Sequence, residues 1–285
     1  MAIKRIGIVG SGIMGSGIAE VAAKAGLDVV LRSRKQETAD AMIAGLEKSL
    51  AKQVERGKLS EEDRDATVAR VSATSDLNDL ADCDLVLESI VEDLGAKKEL
   101  FNELDRICKD SAILATNTST LPVIEMAMET GRPDKVCGVH FFNPAPMMAL
   151  VEIVKPLTAS DETIAAVHDF VGACGKSAVE VIDQAGFIVN NLLFPYLNNA
   201  VRMFENGVAT KEGIDEAMKG GCNFPMGPFA LLDLVGLDTS LSILEALYDE
   251  FRDPNYAPRP LLKRMVAAEQ LGRKSGKGFY DYARK

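Results

Sequence analysis

Histidine is scarce in this chain, with two in 285 residues, His140 and His168. An imidazole that stands in a patterned segment therefore carries weight as a candidate acid or base. Other features are missing too. No apolar run approaches the ~20 residues that a membrane span requires. The five cysteines (Cys83, Cys108, Cys137, Cys174, Cys222) are scattered and odd in number. Without a CxxC or Cys/His spacing they offer neither a metal site nor a disulfide framework. Positive charge is in deficit, with a net charge of −10, which argues against nucleic acid as a partner. It leaves room for a small anionic ligand held by local donors. With an extended pattern already under way at Ile3, no leader peptide is expected, and a cytoplasmic protein with reduced thiols is. What remains is an ordinary globular composition, 47% hydrophobic and 26% charged, in a chain long enough for two domains.

The first half alternates strand and helix patterns. Ile3–Val9 is a short apolar strand, followed by Gly10-Ser11-Gly12-Ile13-Met14-Gly15, a helical run over Ser16–Ala25 and a second strand at Asp28–Leu31. A GxGxxG at the first turn of a βαβ unit is the dinucleotide fingerprint. Gly10 permits the tight turn, Gly12 the approach of a pyrophosphate, and Gly15 close helix–strand packing. About 20 residues further on, an acid usually binds the ribose 2′-hydroxyl. Here that place holds Ser33, followed by Arg34 and Lys35. A serine beside cations welcomes a 2′-phosphate, so NADP use is favoured, with NAD as the other cofactor; a solvated basic turn is the plainer account. Asp84–Ile90, Ser111–Thr116, Lys135–His140 and Ala178–Ile182 read as later strands. The expected fold is α/β, a Rossmann-type doubly wound and mostly parallel sheet over residues 1–184. A helical pair is inserted at about 37–68, and a smaller all-α domain follows over 185–285.

In the insertion Lys48, Lys52 and Arg56 fall at i, i+4 and i+8, on one helix face. Like charges so spaced repel, which a polyanionic ligand relieves; a solvated face tempered by Glu47 and Glu55 is the plainer reading. In Gly138–Glu152, one strand ends on His140, Pro144 and Pro146 impose a turn, and Leu150–Val154 returns carrying Glu152. That arrangement brings a carboxylate to the imidazole, which fixes its tautomer and stabilises the imidazolium of a general base. A lone histidine at a strand end is also often a satisfied core residue. His168 sits in a helical pattern and reads as solvated or half-buried. In the second half, Ile188–Asn206, Thr210–Gly220, Pro228–Arg252 and Pro258–Leu271 read as helices. Asn190 stands near a helix start, where capping is the plain expectation. The tail Gly272–Tyr280 reads as a frayed end or as a lid near phosphates.

Taken in order, several segments resemble the short-chain L-3-hydroxyacyl-CoA dehydrogenase family from end to end. They are Gly10-x-Gly-x-x-Gly15, Asn117-Thr-Ser119, His140-Phe-Phe-Asn-Pro144 with Leu150-Val-Glu152, Gly186-Phe-Ile-Val-Asn190, Pro225-Met-Gly-Pro228 and Gly276-Lys-Gly-Phe-Tyr280. The resemblance implies oxidation of a 3-hydroxyacyl-CoA, with His140 and Glu152 as the catalytic pair and Ser119 and Asn190 on the reacting oxygen. It implies cofactor contacts from Glu92, Lys97, Asn117, Ser119, Asn143 and Lys274. Ser49 and Arg56, with Lys52 between them, fall where coenzyme A is held. It implies a homodimer through the helical domain. Ser33 departs from the family's aspartate. Two other readings compete: a dehydrogenase of a free hydroxy acid of the gulonate type, and a dinucleotide-binding protein without turnover.

Overall fold

In the computed structural model, which describes residues 3–282, the chain divides into two compact units, Met1–Asp183 and Gln184–Lys285. In the first unit the described residues form one sheet of β1 (Arg5–Val9), β2 (Asp28–Arg32), β3 (Val71–Thr74), β4 (Leu85–Glu88), β5 (Ile113–Thr116), β6 (Val136–Phe141), β7 (Leu150–Lys155) and β8 (Ser177–Ile182). Their order is β3-β2-β1-β4-β5-β6-β7-β8. Every neighbouring pair is parallel except β6 and β7, which run antiparallel. The order reverses between β1 and β4, which opens a crevice beyond the strand C-termini.

The central strands are buried along their length, as β4 (Leu-Val-Leu-Glu) and β5 (Ile-Leu-Ala-Thr) show. Parallel strands covered on both faces need such unbroken apolar runs. Helices α1 (Ile13–Lys24), α2 (Gln36–Glu55), α3 (Glu61–Ala69), α4 (Leu94–Ile107), α5 (Val123–Ala127) and α6 (Asp161–Ala173) complete the unit. Ile18, Ala19 and Ala22 of α1 and Val167 and Phe170 of α6 share a core with Ile6, Ile8, Leu87 and Val139 of the sheet. Short polar side chains set several helix starts: Ser60, Asp93 and Ser160 each accept a first-turn N–H.

Two sequence expectations for this unit are corrected. Helix α1 begins at Ile13 rather than Ser16, because glycines at its start mask a helical pattern that packing enforces. Strand β3 was not anticipated: its four residues, Val-Ser-Ala-Thr, form an edge too short to carry a periodic signal. His168 lies on α6, with its Nε2 3.6 Å from Glu180 and its side chain 37% exposed.

The second unit holds α7 (Val189–Glu205), α8 (Lys211–Cys222), α9 (Pro228–Val235), α10 (Leu237–Phe251) and α11 (Pro260–Ala267). Its core gathers Phe194, Leu197, Val201, Phe229, Leu232, Leu244 and Phe279. The helix expected over Pro228–Arg252 is two, broken at Gly236, whose φ of 102° no right-handed helix can include. The tail is not frayed. The buried Asp233 carboxylate accepts the Phe279 and Tyr280 N–H groups at 2.8 Å each, and Phe279 packs against Phe229. Asn190 is buried at the second position of α7, and the cap position falls on Ile188.

Among the described residues no helix is long and apolar enough to cross a membrane, and no His/Cys/Asp/Glu cluster is arranged to hold a metal. All five cysteines are free thiols. Burial pushes the Cys137 thiol up to about 12 and, aided by Cys83, that of Cys108 up to about 11. Cys174 is likewise raised to about 12, and Cys222 is exposed. Since the thiolate is the reacting species, native protein with a disulfide reagent at pH 8 should release about one fast equivalent, from Cys222. The remainder should appear only on denaturation. A fast equivalent at pH 8 that survives Cys222→Ser contradicts this burial.

Candidate active site

The C-terminal ends of β1, β2 and β4 enclose a cavity of about 470 Å³, lined by Gly10, Ser11, Gly12, Arg32, Ser33 and Arg34 among others. Gly10 has φ 133°, and a Cβ there would stand 2.2 Å from the Ser89 carbonyl oxygen. At Gly15 a Cβ would stand 2.2 Å from the Gly10 carbonyl oxygen, so the helix and the turn meet only because both residues are glycine. Nothing lies within 4 Å of the corresponding point at Gly12, which leaves that backbone open to a ligand. Ile13 is 77% exposed, and Met14 packs partly against the core. The cap residue of α1, Gly12, offers no side-chain acceptor, and the first turn holds no acid. Its N–H groups and positive dipole end are therefore available to phosphate.

Ser33 is buried at the end of β2, its N–H bonded to the Thr74 carbonyl, and Arg34 is exposed beside it. Arg32 also lines the cavity; its Nε is buried without a hydrogen-bond partner among the described residues. Burial lowers the Arg32 guanidinium pKa from its ordinary value, opposed by Glu103 across the cavity. An open glycine loop, an uncapped helix start and a buried guanidinium Nε without a partner among the described residues fit a dinucleotide.

Further along the sheet the antiparallel return aligns His140 with Glu152 in register. Both are buried, with His140 Nδ1 2.8 Å from Glu152 Oε2. An ionised carboxylate only accepts, so Nδ1 carries the proton and Nε2 keeps its lone pair. That nitrogen lies 3.1 Å from Ser119 Oγ, which donates to it while the ring is neutral. The imidazole also leans on Phe142, with ring centroids 4.6 Å apart. Asn117 closes the neighbourhood by accepting the Phe141 N–H at 2.8 Å, which ties the loop after β5 to the end of β6.

Glu92 and Lys97 join the same cluster. Glu92 accepts from Thr118 Oγ1 at 2.5 Å and from the Ser119 N–H at 2.9 Å, and pairs with Lys97 Nζ at 3.1 Å. Burial works to raise the Glu92 carboxyl, but the Lys97 charge and these donors bring it below the usual range. Glu88 carries no role expected from the sequence alone. It ends β4 fully buried and takes Lys97 Nζ on both oxygens, at 2.8 and 2.9 Å. An acid closing an apolar parallel strand, with a lysine one helix turn into the next element, was the available signal.

A second groove runs along α1 and α2, lined by Ser16, Gly17, Glu20, Met42, Ser49 and Asn143 among others. Ser49 donates to Glu20 at 3.1 Å. Lys52 lies exposed on α2 and Arg56 exposed at its C-terminal cap, and neither is among the groove's lining residues. The helical unit carries Asn190 and Lys274, the latter paired with Asp238 at 2.6 Å.

A doubly wound sheet with an open glycine turn, and a carboxylate–imidazole–hydroxyl chain beyond its strand ends, define a nicotinamide-dinucleotide-dependent dehydrogenase. The NAD binding domain of 3-hydroxyacyl-CoA dehydrogenase matches residues 5–184, and the C-terminal domain of the same enzyme matches 186–282. The chain belongs to the 3-hydroxyacyl-CoA dehydrogenase family. It is 49% identical to the 3-hydroxybutyryl-CoA dehydrogenase of Clostridioides difficile, over 98% of this chain and 99% of that one. It is 42% identical to the mitochondrial hydroxyacyl-coenzyme A dehydrogenase of Sus scrofa, over 98% and 91% of the two chains. The crystal structure of (S)-3-hydroxybutyryl-CoA dehydrogenase from Ralstonia eutropha superposes with a TM-score of 0.97, at 41% identity, covering 99% of this chain and all of that one.

Proposed function

We propose that this chain catalyses the reversible oxidation of (S)-3-hydroxyacyl-CoA, with 3-hydroxybutyryl-CoA as substrate, to the 3-ketoacyl-CoA. The reading rests chiefly on the buried Glu152–His140–Ser119 chain, with contacts of 2.8 and 3.1 Å. His140 Nε2 takes the substrate hydroxyl proton in oxidation and returns it in reduction. Glu152 fixes the ring through Nδ1 and offsets the charge of the imidazolium. Ser119 holds the reacting oxygen beside Nε2, and Asn190 is assigned to the same oxygen. When bound, the nicotinamide cofactor accepts or supplies the hydride. Glu92, Lys97, Asn117, Asn143 and Lys274 are assigned to its surroundings.

Ser49, Lys52 and Arg56 are proposed to seat coenzyme A. The like-charged, exposed face of Lys48, Lys52 and Arg56 gives its phosphates a partner. The helical unit is proposed to form a homodimer, and the compartment is taken as the cytoplasm.

On the cofactor, Ser33 brings no charge to repel a 2′-phosphate, while Arg34 and the unpartnered Arg32 Nε supply positive charge beside it. Glu99 and Glu103 line the same cavity and disfavour added negative charge. We therefore assign use of NADP, with NAD retained. The test is acetoacetyl-CoA reduction with NADPH and NADH in parallel, free acetoacetate serving as control. The kcat/KM values for the two cofactors should lie within about tenfold, about 1.4 kcal/mol. A hundredfold preference for NADH overturns the reading of Ser33 and Arg34. Equal turnover of free acetoacetate overturns the CoA ester as substrate.

A further inference from the structure

Glu88 sits where β1, β4 and β5 run side by side, in register with Val9 and Thr116. Its carboxylate is fully buried and accepts from the Ile90 N–H at 2.6 Å, from Lys97 Nζ at 2.8 and 2.9 Å, and from Thr116 Oγ1 at 2.7 Å. Two routes lead from it to one short loop. Through Lys97 the first reaches Glu92, which accepts from Thr118 Oγ1 and the Ser119 N–H. Through Thr116 the second reaches the Thr118 N–H, which donates to Thr116 Oγ1 at 3.1 Å. The loop ends on the hydroxyl that faces His140 Nε2.

From this convergence we propose that Glu88 is a positioning residue whose carboxylate, acting through Lys97–Glu92 and through Thr116, holds Ser119 Oγ against His140. The inference rests on the reading of Ser119 given above.

The direction of each hydrogen bond follows from the charge on Glu88. An ionised carboxylate only accepts, so Thr116 spends its one proton on Glu88 and keeps its lone pairs for Thr118 N–H. Likewise Thr118 donates to Glu92 and accepts the Leu121 N–H at 3.0 Å. Lys97, Thr116 and Thr118 are all buried, so water cannot replace a lost partner. An amide at position 88 breaks the pattern. Lys97 Nζ contacts both oxygens, so the NH₂ meets the ammonium in either orientation. On the Oε1 side it also opposes the Ile90 N–H, and on the Oε2 side Thr116 must turn its proton away to accept. Ser119 itself is half-buried on the loop, and displacement of about 1 Å at such a group costs on the order of 100-fold in rate.

A double-mutant cycle on kcat for acetoacetyl-CoA reduction, at saturating thioester and cofactor, tests this. Glu88→Gln should lower kcat about 10- to 100-fold, with KM for the thioester changed by less than about threefold. Ser119→Ala should lower kcat on its own. In the Ser119→Ala background, Glu88→Gln should cost less than about a further twofold, because the group it positions is already gone. Equal losses in both backgrounds, or a Glu88→Gln enzyme at full rate, overturn the positioning role alone. Full rate in Ser119→Ala overturns the reading of Ser119 and this inference with it. If Glu88→Gln lacks a folded circular dichroism spectrum, Thr116→Val and Thr116→Ser take its place in the same cycle. The valine should lose rate only where Ser119 is present, and the serine should keep it. A rate-neutral Thr116→Val then overturns the proposal.

Discussion

Replacing His140 by alanine should lower kcat for acetoacetyl-CoA reduction by roughly 10²- to 10⁴-fold, the range that a positioned acid–base group supplies. That corresponds to about 2.7–5.5 kcal/mol of barrier. Cofactor affinity should change little, because the glycine-loop cavity is built from the ends of β1, β2 and β4, and His140 is not among its lining residues. Stability will fall as well, for a definite reason. Glu152 is fully buried and loses one of its donors, the Nδ1–H at 2.8 Å. Deleting a donor to a buried charged acceptor costs about 1–3 kcal/mol. His140→Gln separates the two effects, since its amide can still donate to Glu152 but takes up no proton at neutral pH. Both variants should show the same loss of kcat, with the glutamine enzyme melting closer to wild type. Steady-state rates, a fluorescence titration of NADH and a thermal melt together check this. Near-normal turnover in either variant would falsify the role of His140 as base.

Local motifs were legible because their chemistry is written in short spacings. The glycine turn needs six consecutive positions, and strand–proline turn–strand brings His140 and Glu152 together within thirteen residues of chain. Contacts that depend on sheet order were not. Glu88 meets Thr116 only because β4 and β5 are adjacent, and meets Lys97 only because α4 folds back over the strand end. Lys97 was named from resemblance as a cofactor contact, and its burial between Glu88 and Glu92 had no local signature. The same holds in the helical unit. Gly272–Tyr280 has the composition of a loose end, yet the buried Asp233 on α9 pins it through two backbone N–H groups. The break at Gly236 was hidden because a single glycine in an apolar helical pattern is ambiguous until its φ is known.

Gly10→Ala should be the most destabilising single-methyl change in the first unit. The added Cβ would lie 2.2 Å from the carbonyl oxygen and 2.6 Å from the carbonyl carbon of Ser89, on a residue whose φ is 133°. Backbone atoms cannot swing aside as a flexible side chain can. Gly10 is tied to the Arg32 carbonyl by its N–H, and Ser89 to the Val9 carbonyl, so relief means separating strands at the switch point. Strain at a disallowed φ costs about 1–3 kcal/mol and overpacking a similar amount, for a sum of about 2–6 kcal/mol. Against a typical domain stability of ~5–15 kcal/mol, that lowers the melting temperature sharply or prevents folding. Gly12→Ala provides the contrast, since nothing in the protein lies within 4 Å of its added carbon. Its backbone takes up φ −79°, which alanine accepts, so the melt should stay near wild type. NADH affinity should nonetheless drop about tenfold or more, because the methyl occupies the approach of the pyrophosphate. If Gly10→Ala melts with wild type, the closeness of β1 to the Ser89 turn is misjudged. If Gly12→Ala binds NADH unchanged, the open face of the glycine turn is not where the phosphates lie.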